Sequence, residues 1–180
     1  MENQSFTATI LVEQTPSQVF NAIVNPQAWW SEEITGGTSK VGDVFDYHFE
    51  DIHRTRMQLT EVIPNKKVVW LVLENYFKPG LFNEAGTTAK DDGFRHDKAE
   101  WVDTHIIFEI SEKKGKTQLV FKHDGLVPDY ECYDVCVNGW THYIQESLYK
   151  LITTGKGQPN ATDKPMTTDE EKFKTAASNA

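Results

Sequence analysis

Tyr133-Asp-Val-Cys-Val-Asn-Gly-Trp-Thr-His-Tyr-Ile-Gln-Glu-Ser-Leu-Tyr-Lys-Leu151 is the stretch on which the fold turns. Tyr133, Val137, Trp140, Ile144, Leu148 and Leu151 recur in it at steps of 4, 3, 4, 4 and 3, an apolar stripe that a long amphipathic helix presents on one side. Asp129 or Asp134 is placed to cap its start, and Gly155 follows the last periodic residue as a stop signal.

Upstream of that helix the period changes from helical to alternating. Thr117 to His123 reads as a strand through Leu119 and Phe121, and Lys114-Gly115 turns it back on a partner in which Thr104, Ile106, Phe108 and Ile110 share one face. Arg54 to Ile63 and Lys67 to Leu73 form a hairpin across Pro64-Asn65, and Phe45, Tyr47 and Phe49 alternate with polar residues in a half-buried strand. Ser5 to Glu13 is rich in β-branched residues, and Thr15-Pro16 then opens a helix that Asn25-Pro26 ends, with a second short turn from Pro26 to Trp30. From Glu74 to Glu100 the pattern dissolves, so this long loop is either a lid over a site or a set of short helical turns.

The order is therefore strand, two short helices, about six or seven antiparallel strands in all, and one long carboxy-terminal helix. Strands and helices segregated in this way make an α+β fold in which a curved sheet wraps around the terminal helix, leaving a cavity between them. The domain is expected over residues 1–158, with residues 159–180 as a polar tail, weakly attached or disordered. Thr168 and Glu171 have capping-box spacing within that tail, and Phe173 is its one aromatic.

Composition narrows the function. The 180 residues carry 18 Lys+Arg against 27 Asp+Glu, a net charge of −9, and the whole excess lies in residues 1–153. Nucleic acid and anionic membrane surfaces both demand clustered basic residues, so neither is expected as a partner. The longest apolar run, Val68 to Leu73, is too short to span a bilayer, and the amino-terminal run Ala8 to Val12 is too short for a signal-peptide core. A cytoplasmic protein is expected, monomeric or homodimeric, and two cysteines make no disulfide framework.

Several blocks of the chain resemble a known family. Thr15-Pro-Ser-Gln-Val-Phe-Asn-Ala-Ile-Val-Asn-Pro-Gln-Ala-Trp-Trp30, Leu59-Thr-Glu-Val-Ile-Pro-Asn-Lys-Lys-Val-Val-Trp70 and Thr117 to Leu126 are similar to successive blocks of the activator-of-heat-shock-protein-ATPase homologue (AHSA-like) family. So are Tyr133 through Gly139-Trp140, Ser147-Leu148 and Thr154-Gly155-Lys156-Gly157-Gln158-Pro159. The family belongs to the START-like or SRPBCC superfamily, and the resemblance implies its helix-grip fold over residues 5–159. It implies one of three roles: a carrier of hydrophobic molecules, a co-chaperone domain, or a cyclase-like enzyme. The segment Glu74 to Glu100 is longer than is usual for the family.

Aromatic side chains are the candidate ligand-binding residues, because they offer large contact area and a few oriented N–H or O–H groups. The set is Trp29, Tyr47, Phe49, Trp70, Trp101, Trp140 and Tyr143, with Trp30 beside it. Each could equally pack the core; Trp140 and Tyr143 stand out because the long helix walls the cavity in this fold. No catalytic residue, metal site or cofactor motif is assigned. The six histidines lack metal spacing, His123-Asp124 reads as a turn cap with a general-base pair as the sharper alternative, and His142 falls opposite the apolar stripe. Asp91, Asp92, Asp97, Glu100 and His96 read as a solvated charge run. Cys132 and Cys136 sit one helical turn apart, too far for an unstrained bridge, and a reactive Cys132 at the helix start is a minor alternative.

The expected function is binding of a hydrophobic or amphipathic small molecule between the long helix and the sheet. A chaperone-ATPase modulator, with a chaperone as partner, is the alternative. An enzyme of cyclase or hydrolase type ranks third, because it needs titratable groups converging inside a pocket whose inward positions read as aromatic and aliphatic.

Overall fold

The computed structural model describes residues 5–78 and 100–178. Most of the long loop, with Phe82, Phe94 and the acidic residues Asp91, Asp92 and Asp97, lies outside the described residues, as does any lid built from it.

Thr15 starts the first helix as the sequence requires. Its side chain accepts from the Gln18 amide while the Gln18 side chain accepts from the Thr15 amide, a reciprocal cap ahead of α1 (Pro16–Ile23). β1 (Ser5–Val12) precedes it, and a single 3₁₀ turn, Pro26–Ala28, follows. The chain then lays down β2 (Thr35–Gly36), β3 (Val44–Phe49), β4 (His53–Ile63), β5 (Lys67–Phe77), β6 (His105–Lys113) and β7 (Lys116–Asp124). Strand β5 runs past Leu73 to Phe77, so residues 74–77 belong to the strand and not to the loop expected from Glu74 onward.

These strands form one antiparallel sheet in the order β1-β7-β6-β5-β4-β3-β2. Period-2 alternation puts Phe45, Tyr47 and Phe49 of β3, Met57 and Leu59 of β4, Trp70 and Val72 of β5, Phe108 of β6 and Phe121 of β7 on one buried face. The β4–β5 register shifts twice, between Arg56 and Met57 and between Leu59 and Glu61. Each irregularity bends and twists the ladder, which lets the sheet curl around what lies on its concave side.

What lies there is the long helix, residues 133–154, in three continuous parts: α2 (Tyr133–Thr141), a wider π segment (His142–Leu148) and α3 (Tyr149–Thr154). The π turn brings Tyr143, Ile144, Ser147 and Leu148 all into the core, so the buried face is broader than the stripe of apolar residues. Gly155 ends the helix at φ 82°, where a side chain would be strained. The helix start is not capped by Asp129 or Asp134. Cys132 takes the N-cap position without a side-chain cap, and the carboxylate of Glu100 accepts from the Glu131 amide at 2.8 Å and the Cys132 amide at 3.4 Å. A carboxylate held here also complements the positive end of the helix dipole.

The carboxy-terminal segment is docked rather than loose, a correction to the expectation for residues 159–180. Residues 157–160 run alongside Ala28 to Ser31: Asn160 donates its amide to the Trp30 carbonyl and accepts from the Glu32 amide, both at 2.9 Å. The approach needs Gly157, where a Cβ would meet the Ala28 carbonyl oxygen at 2.2 Å. Ser147, fully buried, donates to the Trp29 carbonyl at 2.6 Å and accepts from the Gln158 amide at 2.7 Å. Beyond this clamp, Thr162 binds Glu33, and Lys164 pairs with Glu32. The last helix, α4 (Thr168–Ser178), starts from a reciprocal cap one residue earlier than the spacing suggested, with Thr167 and Glu170 in the roles expected of Thr168 and Glu171. α4 packs against α2.

Candidate functional site

The core is filled by rings in two connected groups. Trp29 stacks on Trp70, whose edge meets Phe108, and both indoles are fully buried behind the long helix. Trp30 is flat against Tyr47 at 4.2 Å between centroids and reaches Trp140 at 5.1 Å. Trp140 continues to Trp101, stacked at 5.7 Å, and Trp101 meets His53 and Phe77 edge-on. The second group walls a cavity between α2, the start of the π segment, strands β3 to β5 and helix α4.

Of the seven sequence-predicted residues, Tyr47, Phe49, Trp101, Trp140 and Tyr143 line this cavity together. Trp29 and Trp70 do not: they lie in the first group, where packing accounts for their burial. Trp30 takes a place on the wall that the predicted set gave to its neighbour. Two consecutive tryptophans leave a tight turn in different directions, and periodicity has no hold there. Ile52, His53, Phe77 and Cys136 complete the wall, with Thr167, Glu170 and Phe173 of the carboxy-terminal segment. As it stands the cavity holds about 70 Å³, room for a few waters. Ligand pockets for drug-sized molecules run to roughly 300–1,000 Å³.

Two histidines belong to this region, His53 in the wall and His123 behind Trp140. His123 is fully buried and faces inward, whereas Asp124 turns outward to accept from Ser5 at 2.8 Å and pair with Lys122 at 3.0 Å. The two do not form a pair, and His123 caps no turn. The Trp140 indole N–H donates to His123 Nδ1 at 3.1 Å, which leaves the ring proton on Nε2, facing the Thr104 hydroxyl at 2.8 Å; that hydroxyl donates on to the Trp101 carbonyl. Burial, slightly opposed by the charge of Asp124, pushes the His123 pKa down to about 3. A proton added to Nδ1 would also lose the Trp140 bond. His53 Nε2 lies 2.9 Å from Asn75 Oδ1, and burial holds this ring down at about 4 although the hydrogen bond favours the cation.

The remaining candidates settle into structural roles. Cys132 and Cys136 are buried free thiols; their mutual hydrogen bond, then burial, raises the Cys132 pKa far above the ordinary thiol value, so no thiolate forms there. His142 is mostly covered rather than facing solvent, pairing with Glu146 at 3.3 Å and lying edge-on to Tyr143. Among the described residues, no group of three or more His, Cys, Asp or Glu side chains is arranged to hold a metal ion. No described helix is long and apolar enough to cross a membrane.

The cavity has one polar end. Tyr47, Tyr143, Asn160 and Glu170 meet there, and burial first, then the Glu170 charge, raises both phenol pKa values well above the ordinary value, so both remain O–H groups. An apolar chamber with a few converging donors can hold an amphipathic molecule in one orientation.

Comparison with known proteins places this geometry. Among curated proteins no sequence matches the chain. The solution structure of the Aha1 dimer from Colwellia psychrerythraea superposes with a TM-score of 0.63 at 21 % identity, covering 86 % of this chain and 99 % of that one. The protein SSP2350 from Staphylococcus saprophyticus matches with a TM-score of 0.58 at 13 % identity, over 88 % of this chain and 98 % of its own. DynU16, a protein in the dynemicin biosynthetic locus, matches with a TM-score of 0.57 at 13 % identity, over 85 % of this chain and 48 % of its own. At these identities the likeness is one of fold: the curved sheet around a long helix read from the strand and helix pattern, and the helix-grip fold that the resemblance implies. The profile of the family described as activator of Hsp90 ATPase homolog 1-like protein matches residues 13–153, from the end of β1 to the end of the long helix, and the chain belongs to that family.

Proposed function

We propose that the protein binds a hydrophobic or amphipathic small molecule in the cavity between the long helix and the sheet. The observation that carries this reading is the convergence of Trp30, Tyr47, Phe49, Trp101, Trp140 and Tyr143 on one chamber whose far end is polar. Packing alone accounts for the other ring group, around Trp29 and Trp70. Rings of this size gain about 25 cal/mol for each Å² of ligand surface they take from water. The hydroxyls of Tyr47 and Tyr143 would then hold the polar end of the molecule.

Native mass spectrometry of the full chain with a panel of fatty acids, flavonoids and polyketide-like aromatics tests the proposal. A one-to-one adduct that Trp140→Ala weakens supports it; no adduct with any member overturns it.

A second reading follows from family membership: a partner of a chaperone ATPase. Its observation is the family's description, and a wide groove along β3 to β5, lined by His48, Arg54, Arg56 and Glu74, offers a second surface. Stimulated chaperone ATPase turnover that Arg54→Glu abolishes and Trp140→Ala leaves intact would favour it over the first.

A further inference from the structure

The polar end of the cavity is already occupied by a carboxylate. Asn160, fully buried, directs its Nδ2 to within 3.0 Å of Glu170 Oε1, 2.9 Å of the Tyr143 hydroxyl and 3.2 Å of the Tyr47 hydroxyl. Tyr143 donates to the same Glu170 oxygen at 2.5 Å. The other Glu170 oxygen accepts from the Met166 and Thr167 amides, which fixes the carboxylate at the polar end. Phe173 follows three residues later on the same side of α4, and it lines the cavity with Glu170. A carboxylate and an aromatic ring, held one helical turn apart, therefore line the chamber from α4.

We propose that Glu170 and Phe173 are an internal stand-in for the ligand, and that the cavity takes an aryl carboxylate: an aromatic ring on a short linker to a carboxylate. The inference rests on the reading of this cavity as a ligand site. The ligand's carboxylate replaces that of Glu170 on Tyr143 and Asn160, and its ring takes the space of Phe173. Size favours the exchange. An apolar cavity known to hold benzene measures about 150 Å³, and this chamber holds about 70 Å³. Chemistry favours an anion, because phenol and amide donors bind an ionised acceptor roughly twice as strongly as a neutral one. An acid then binds at the cost of moving α4 aside, and its apparent affinity falls by the fraction of molecules in which α4 is open.

Calorimetric titration of the full chain with 2-naphthylacetate and with its methyl ester tests this. Phe173→Ala removes the ring, Glu170→Gln removes the competing charge, and Asn138→Ala removes the exposed amide that holds Asp169 of α4 at 3.3 Å. Circular dichroism and a cooperative melt identify the folded variants. Wild type is expected to prefer the acid over the ester, and each folded variant to bind the acid at least about tenfold more tightly than wild type, as opening of the closed form requires. Equal binding of acid and ester overturns the proposal, as does unchanged affinity in Asn138→Ala together with Phe173→Ala. If neither compound binds any folded variant the proposal also falls, and the mass-spectrometry panel then decides separately whether the cavity reading falls with it.

Discussion

Acid should destabilise this protein well before its carboxylates titrate, and His123 is the reason. Folded, the ring is buried and keeps Nδ1 unprotonated to accept from Trp140; its pKa lies at about 3, and that of His53 at about 4. In the unfolded chain both return to about 6.5. Above that value neither state carries the extra protons. As the pH falls below it, the unfolded chain takes up protons that the folded rings refuse, so stability falls with pH until the folded pKa values are reached. Each ring contributes a slope of about 1.4 kcal/mol per pH unit, so the pair removes on the order of 5 kcal/mol between about pH 6.5 and about pH 4.5. Total stabilities of domains are roughly 5–15 kcal/mol. The carboxylates act lower: Asp51 and Asp124, their pKa values lowered chiefly by hydrogen bonds from Lys78 and from Ser5, lose their contribution only as the pH falls through and below the ordinary carboxylate value. Urea unfolding followed by tryptophan fluorescence, repeated from about pH 7 to about pH 5, measures the histidine window alone. His123→Gln should roughly halve the slope, because Gln can accept from Trp140 and donate to Thr104 without titrating. Stability that is flat over this window, or a slope that His123→Gln leaves unchanged, refutes the reasoning.

Three further outcomes follow. Ser147→Ala strands the Trp29 carbonyl and the Gln158 amide, and should cost about 2–4 kcal/mol in chemical denaturation. Gly157→Ala forces a Cβ against the Ala28 carbonyl oxygen. It should cost about 1–3 kcal/mol and make the carboxy-terminal segment an early target in limited proteolysis, because the clamp on Asn160 is displaced. Glu100→Ala removes both hydrogen bonds to the approach of the long helix and should cost about 1–2 kcal/mol in thermal or urea unfolding, with the sheet unaffected by hydrogen exchange.

What could be read from the sequence was what local periodicity encodes. Phe45, Tyr47 and Phe49 announce a one-sided strand, Thr15 and Gln18 a capped helix, and Trp140, Ile144 and Leu148 the long helix. Those signals sit within a few residues of their partners. The roles that escaped depend on distant ones. Glu100 caps a helix 31 residues away, Asn160 meets Tyr47 across 113 residues, and nothing local separates them from ordinary loop polar groups. The tail looked unable to dock because it carries a single aromatic; its attachment comes instead from backbone pairing with residues 30–32 and from Glu170, which composition does not register. His123 illustrates the opposite failure. Its alternation with Leu119 and Phe121 already placed it on the inward face, but its neighbour Asp124 suggested a pair that a strand, sending consecutive side chains to opposite faces, cannot make.

The five tryptophans offer the most direct test, since the structure divides them between two environments. In a ¹H–¹⁵N spectrum of the full chain, each indole N–H gives a separate signal. Addition of a ligand identified by mass spectrometry should shift the signals of Trp30, Trp101 and Trp140, which line the cavity, and leave those of Trp29 and Trp70, which lie behind the helix, in place. Shifts confined to Trp29 and Trp70, or no shift at any indole under saturating ligand, would contradict the assignment of this cavity as the binding site.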